Sequence, residues 1–195
     1  MRNLLTAIVS LALALVLPAA AETQSWNIDG AHSSAQFSVR HMGISTVRGA
    51  FTKVSGTVQY DPADLAKTVI DATIEAASVD TRVEMRDNDL RSPHFFDASK
   101  YPTLTFKSKK VAEAGPGKLK VTGDLTIHGL TKEITLDVEG PSAPVKDPRG
   151  NLRVGASAST TINRKDFGVD GAAAVVGDDV PITIDMELTR PASGS

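Results

Sequence analysis

The stretch Lys118-Leu119-Lys120-Val121-Thr122-Gly123-Asp124-Leu125-Thr126-Ile127-His128 alternates without a break. Leu119, Val121, Gly123, Leu125 and Ile127 fall on one side; Lys118, Lys120, Thr122, Asp124, Thr126 and His128 fall on the other. A period of two belongs to an extended strand, whose successive side chains point to opposite faces, whereas a helix places apolar residues three to four positions apart. One face of this strand is therefore dry and the other wet. The following run puts Ile134, Leu136 and Val138 on one side and Glu133, Thr135, Asp137 and Glu139 on the other. With His128-Gly129 at the bend, the two runs predict a hairpin.

The same alternation recurs outward from this hairpin. It appears at Ala35, Phe37 and Val39; at Ile70, Ala72, Ile74 and Ala76; at Leu104 and Phe106; at Leu152, Val154, Ala156 and Ala158; and at Ile182, Ile184, Met186 and Leu188. Residues 51–60, in which Val54 and Val58 share a face, bring the count to about eight strands. Turn chemistry separates them at Asp61-Pro62, Gly115-Pro116-Gly117, Gly140-Pro141 and Asp147-Pro148-Arg149-Gly150. The one interruption is residues 82–99, where Met85, Asp89 and Leu90 stand at helical spacing before Pro93-His94-Phe95-Phe96. A short helix in an irregular crossover is expected there.

Eight strands, each with one apolar face, bury those faces by closing into a barrel or by stacking as two sheets. A sandwich core needs bulky residues interdigitating across about 10 Å. Here many inward positions are Ala, Gly or Val, and the chain holds only one Trp, two Tyr and six Phe. This composition favours an eight-stranded antiparallel barrel whose interior is either filled by Leu, Ile, Met and Phe or left open to one small ligand. The period of two assigns Phe37, Val39, Ile70, Ile74, Leu104, Phe106, Leu125, Ile127, Ile134, Leu136, Ile182, Ile184 and Met186 to that interior.

The ends of the chain bound its setting. Met1, Arg2 and Asn3 precede an apolar block at residues 4–17, then Pro18-Ala19-Ala20-Ala21. One early positive charge, about a dozen apolar residues and a small-residue site make residues 1–21 a secretory signal, with residues 22–195 as one mature domain. A periplasmic or secreted location follows. The block is shorter than the roughly 20 residues of a membrane span. With no cysteine, there is neither a disulfide framework nor an acylation site. Twenty-one basic and 23 acidic residues leave a formal net charge of −2, which gives no electrostatic reason to expect nucleic acid as a partner.

Catalytic and cofactor signatures are missing from the pattern. His32, His41, His94 and His128 lack the spacing of a metal site, so no metal and no cofactor are expected. No Gly-rich phosphate loop links a strand to a helix, and neither Ser33 nor Ser34 sits in a strained elbow motif. An enzyme is not expected. The crossover concentrates Arg82, Arg86 and Arg91 with Phe95 and Phe96. Either this is a solvated helix face with aromatics plugging the core, or it is a lid whose aromatics touch an apolar ligand and whose guanidinium groups pair with an anionic head group.

Several blocks resemble the YceI-like proteins. They are Ser25-Trp26-Asn27-Ile28-Asp29 with His32-Ser33, the strand Phe37-Ser38-Val39-Arg40-His41, and the turn Arg48-Gly49-Ala50-Phe51. Ser92-Pro93-His94-Phe95-Phe96-Asp97 continues through Lys100-Tyr101-Pro102-Thr103-Leu104-Thr105-Phe106 in the same way. Two more blocks, Gly123-Asp124-Leu125-Thr126-Ile127-His128-Gly129 and Ile162-Asn163-Arg164-Lys165-Asp166-Phe167-Gly168, complete the family's order. The resemblance implies a lipocalin-like barrel holding a polyisoprenoid-type lipid, periplasmic or secreted, with homodimers common among members. An enzyme of lipid or quinone metabolism and a β-sandwich interaction module are the competing readings. The first requires a polar, perturbed cluster inside the lumen, and the second requires that there be no lumen.

Overall fold

The computed structural model describes residues 24–60 and 64–191. Residues 1–23, which hold the expected signal, residues 61–63, which hold the expected Asp61-Pro62 turn, and residues 192–195 lie outside the described residues. The strands are β1 (Gln24–Ile28), β2 (Ser34–His41), β3 (Ser45–Phe51), β4 (Val54–Tyr60), β5 (Val69–Glu75), β6 (Val79–Asp80), β7 (Thr103–Gly115), β8 (Lys118–Ile127), β9 (Leu130–Glu139), β10 (Val145–Lys146), β11 (Leu152–Asn163) and β12 (Asp179–Arg190). The helix α1 (Glu84–Arg91) lies between β6 and β7.

These strands make eight staves of one closed antiparallel barrel. β1 with β2, β3 with β4, and β5 with β6 are bent staves, because the ladders β1–β4 and β4–β5 resume beyond the bend as β2–β3 and β3–β6. β7, β8, β9, β11 and β12 are the other five. Closure happens at β12. One edge pairs with β11 from Asn163↔Asp179 to Leu152↔Arg190, and the other pairs with β2 at Ile182–Asp185 and with β1 at Leu188 and Thr189. The β9–β11 ladder is short, holding only Asp137, Val138 and Glu139 against Ser159, Ala158 and Ser157.

The quoted hairpin forms in the expected register. β8 and β9 pair from Lys118↔Glu139 to Ile127↔Leu130, and His128 and Gly129 take positive φ values of 51° and 75° at the turn. Leu119, Val121, Gly123 and Ile127 are buried, while Lys118 and Lys120 are exposed. The differences from the sequence reading fall on the first two staves. Residues 51–60 are not one strand: the chain bends at Thr52 and Lys53, whose backbone N–H groups donate to Ser78 O and Ser78 Oγ at 3.2 Å each. Arg48-Gly49-Ala50-Phe51 is strand, not turn. A Cβ on Gly49 would lie 2.5 Å from Cζ of Phe37, so the missing side chain lets that ring cross the neighbouring strand. Gly56, at φ 141°, bends β4 where any Cβ would meet Asp71 O at 2.1 Å.

Antiparallel order sorts the connections to two ends. The helix end carries the β2–β3 tip, α1 with residues 92–102, the His128-Gly129 turn and residues 164–178. The terminal end carries Gln24, the β4–β5 connection, the Gly115-Pro116-Gly117 turn and Arg190. At the helix end Phe51, Val79, Phe95, Phe167 and Val169 pack into one buried cluster. Toward the terminal end Trp26, Ile28, Val58 and Leu188 form a second cluster, and Phe106, Val111, Leu119, Val121 and Leu136 form a third.

Candidate functional site: the barrel lumen

The three clusters do not fill the barrel. Between them runs a cavity of about 260 Å³. At about 10–15 Å³ for each water-sized group, it has room for roughly twenty such groups. Its small wall residues explain the space. Ala156 and Ala158 face Met186 and Ile184 across the β11–β12 ladder, and Ala72 pairs with Phe106 across β5–β7, so positions that could carry bulk carry a methyl group.

All thirteen strand residues assigned to the interior line this cavity: Phe37, Val39, Ile70, Ile74, Leu104, Phe106, Leu125, Ile127, Ile134, Leu136, Ile182, Ile184 and Met186. Phe95 and Phe96 line it too, and Phe96 sits edge-on to Phe51 at 5.5 Å. Sequence reasoning missed Trp26, Tyr60 and Thr68 toward the terminal end and Phe167, Val169 and Val176 toward the helix end. Trp26 and Ile28 alternate just as the longer runs do, but five residues before a turn are too few for periodicity to speak. The turn after β11 carried a signal that was not read as one: the Asn163 side chain accepts from Lys165 N at 3.0 Å, and Gly168 closes the turn in the left-handed conformation.

Arg82, Arg86 and Arg91 take a different place from the one a head-group site requires. None lines the cavity. Arg86 donates from Nε to Thr81 Oγ1 at 2.7 Å and from Nη2 to Thr81 O at 2.8 Å. Arg91 donates to Ala77 O at 2.8 Å, Val79 O at 2.7 Å and Asn88 Oδ1 at 3.1 Å. Arg82 is exposed. Two of the three therefore fasten α1 to the backbone around β6, their donors taken up by the carbonyls of Ala77, Val79 and Thr81. The arginine that does line the lumen is Arg164, and it is buried. Its Nε donates to Gly177 O, its Nη1 to Val169 O and Gly171 O, and its Nη2 to Val176 O, with Asp178 Oδ1 3.5 Å from Nη2. Arg164 thereby ties down residues 169–178 as a plug at the helix end.

Among the described residues, Tyr60 and Arg164 are the only ionisable side chains lining the lumen. The charged network of the protein lies elsewhere. Arg153 Nη1 is 2.6 Å from Asp29 Oδ2 and also meets Glu187 Oε1, while Nε is 3.0 Å from Asp147 Oδ2. The Arg153 and His32 hydrogen bonds hold the Asp29 carboxyl down at about 2. Burial pushes Asp147 up, but the Arg153 guanidinium, the Asn151 backbone and side chain, and the Arg149 N–H outweigh it and bring it to about 2. Asp29, His32 and Glu187 are close enough to share a cation. The Arg153 guanidinium already bridges both carboxylates, and the cluster is an ion-pair network.

A family model described as a YceI-like domain matches residues 26–188. The chain belongs to the YceI-like family. A UPF0312 protein of Vibrio cholerae is 41% identical over 184 residues, covering 92% of this chain and 93% of its own length. A UPF0312 protein of Shewanella denitrificans is 38% identical over 161 residues, 82% of this chain and 84% of its own. Among solved YceI-like barrels, BcnA of Burkholderia cenocepacia superposes with a TM-score of 0.72 at 30% identity, covering 82% of this chain and 98% of that one. The YCEI protein of Campylobacter jejuni superposes at 0.68 and 36%, covering 78% and 90%. A domain from Saccharophagus degradans, described as polyisoprenoid binding and implicated in plant cell wall breakdown, shares the fold at 0.65 with 17% identity, covering 87% and 100%.

Proposed function

We propose that this YceI-like barrel is an exported carrier or sequestering protein for an elongated isoprenoid lipid: a polyisoprenoid, an isoprenyl phosphate or a quinone. The apolar lumen carries the proposal. It runs inside a closed barrel, is lined from every stave, and among the described residues its ionisable lining is confined to Tyr60 and Arg164. A lumen of this kind binds by removing apolar surface from water, worth about 25 cal/mol per Å². At about 0.3 kcal/mol per atom, roughly twenty tail atoms supply about 6 kcal/mol, a dissociation constant of tens of micromolar or tighter. The polyisoprenoid-binding description of the Saccharophagus degradans domain supports the same ligand class.

A β-sandwich module does not fit, because β11, β12, β1 and β2 close the sheet upon itself. Catalysis has less support than binding, since the lumen lacks a cluster of titratable groups. Among the described residues no helix is long and apolar enough to cross a membrane. Export rests on residues 1–21, and N-terminal sequencing of the mature protein starting at Glu22 is its check. The carrier reading is tested by titrating delipidated protein with geranylgeraniol. Saturable one-to-one binding in the micromolar range supports it; failure to bind any isoprenoid overturns it.

A further inference from the structure

Three buried polar groups in the described residues have no hydrogen-bond partner: Trp26 Nε1, Thr68 Oγ1 and Arg190 Nε. Native proteins leave few such groups, and each calls for an explanation. These three are not scattered. The β1–β12 register pairs Ile28 with Leu188, so Trp26 falls opposite Arg190, and the guanidinium carbon stands 4.9 Å over the indole ring. Thr68 directly precedes β5, and the β4–β5 register, ending at Gln59↔Val69, sets it beside Tyr60. Trp26, Tyr60 and Thr68 all line the lumen. Trp26 is 1% and Thr68 9% exposed, so bulk water is not their partner.

The opposite end of the lumen differs in kind. There the Arg164 guanidinium is engaged by four carbonyls and faces Asp178, and Arg86 and Arg91 are occupied by backbone and side-chain oxygens. We propose that the terminal end of the lumen binds the oxygen head group of the lipid, with Trp26 and Thr68 as donors from its wall and Arg190, which stands over the Trp26 ring and is not itself part of the cavity lining, as the donor behind them. An indole N–H and a guanidinium N–H can only donate, and the threonine hydroxyl can donate as well. The complementary chemistry is an oxygen that accepts and is not required to give: a phosphate or a carbonyl. Arg190 has no ion-pair partner among the described residues, so its charge favours the phosphate. The tail then extends toward Phe95, Phe96 and Phe167 at the helix end.

This inference rests on the carrier reading, and the test separates the two. Trp26 is the only tryptophan, so the ¹⁵N-labelled full-length mature protein gives one indole N–H signal. Geranylgeranyl phosphate, geranylgeraniol and the headless hydrocarbon phytane are titrated against it. The two oxygen-bearing probes are expected to move the indole signal downfield, and phytane to leave it in place while still binding. The near-isosteric Thr68→Val should weaken geranylgeranyl phosphate about fivefold to tenfold against little change for phytane, and Trp26→Phe, which also alters the wall, should weaken the phosphate several-fold more than it weakens phytane. Arg190→Met should abolish the preference for the phosphate over the alcohol. Equal weakening of all three probes, or an indole signal that phytane shifts as far as the phosphate does, overturns the head-group site and leaves the carrier reading standing. So does an indole signal already at its hydrogen-bonded position in the lipid-free protein, which would mean a trapped water only. If no probe binds, the carrier reading fails and the head-group site falls with it.

Discussion

Arg91 donates from Nη2 to the carbonyl oxygen of Val79 at 2.7 Å, fixing the end of α1 to the Phe51↔Val79 pairing of the third stave. Leu90, its neighbour on the helix, lines the lumen. The arginine therefore positions the lumen residue beside it without touching the cavity.

Replacing Arg91 with Gln should destabilise the protein by about 1–3 kcal/mol, because the carbonyls of Ala77 and Val79 lose charged donors. Arg86→Gln should act the same way through Thr81. Arg82→Gln, at an exposed position, should stay within about 0.5 kcal/mol. Denaturant midpoints of the three variants check this. Equal effects at all three positions would show that the difference in engagement has no energetic consequence.

Acid should loosen the join between the first bent stave and β11. Asp29 and Asp147 both titrate at about 2 in the folded protein against an ordinary 3.8. A carboxylate whose folded value is depressed contributes stability in full above its unfolded value and loses it as the pH falls through the folded one. Melting temperature should hold near pH 5 and fall between about pH 4 and pH 2. In Arg153→Met the carboxylates of Asp29, Asp147 and Glu187 lose their shared cation and repel one another, so the loss over that window should shrink or reverse sign. A variant with the same acid slope as the parent would contradict the assignment of that slope to Arg153.

Ala158 faces the lumen from β11 opposite Ile184. Enlarging it to Phe should fill space instead of disturbing a packed core, so Ala158→Phe is expected to weaken geranylgeraniol binding about tenfold at little or no loss of melting temperature. A large drop in stability with unchanged affinity would place the lipid elsewhere.

The wall of the lumen was legible because alternation is a backbone property: once residues 118–128 read as a strand, every second residue had to face inward, and the thirteen interior positions follow. The family blocks likewise announced the barrel. The first bend was only half legible. Phe51 falls out of phase with Val54 and Val58, which marks Thr52 and Lys53, but the hydrogen bonds to Ser78 that hold the bend come from another stave. The two readings of the crossover arginines could not be told apart for a related reason. Sequence shows that Arg86 and Arg91 are charged, but whether their donors meet a ligand or a backbone carbonyl depends on how α1 folds back on residues 77–81. Trp26 and Arg190 stand near opposite ends of the chain, and only closure of β1 against β12 brings them together.

Whether the lumen is a lipid site is decided by the mass spectrum of an organic-solvent extract from protein purified without added lipid. One isoprenoid species is expected to dominate the extract of the parent and to be several-fold depleted in that of Ala158→Phe. An extract holding no isoprenoid, or the same amount from the parent and from Ala158→Phe, would contradict it.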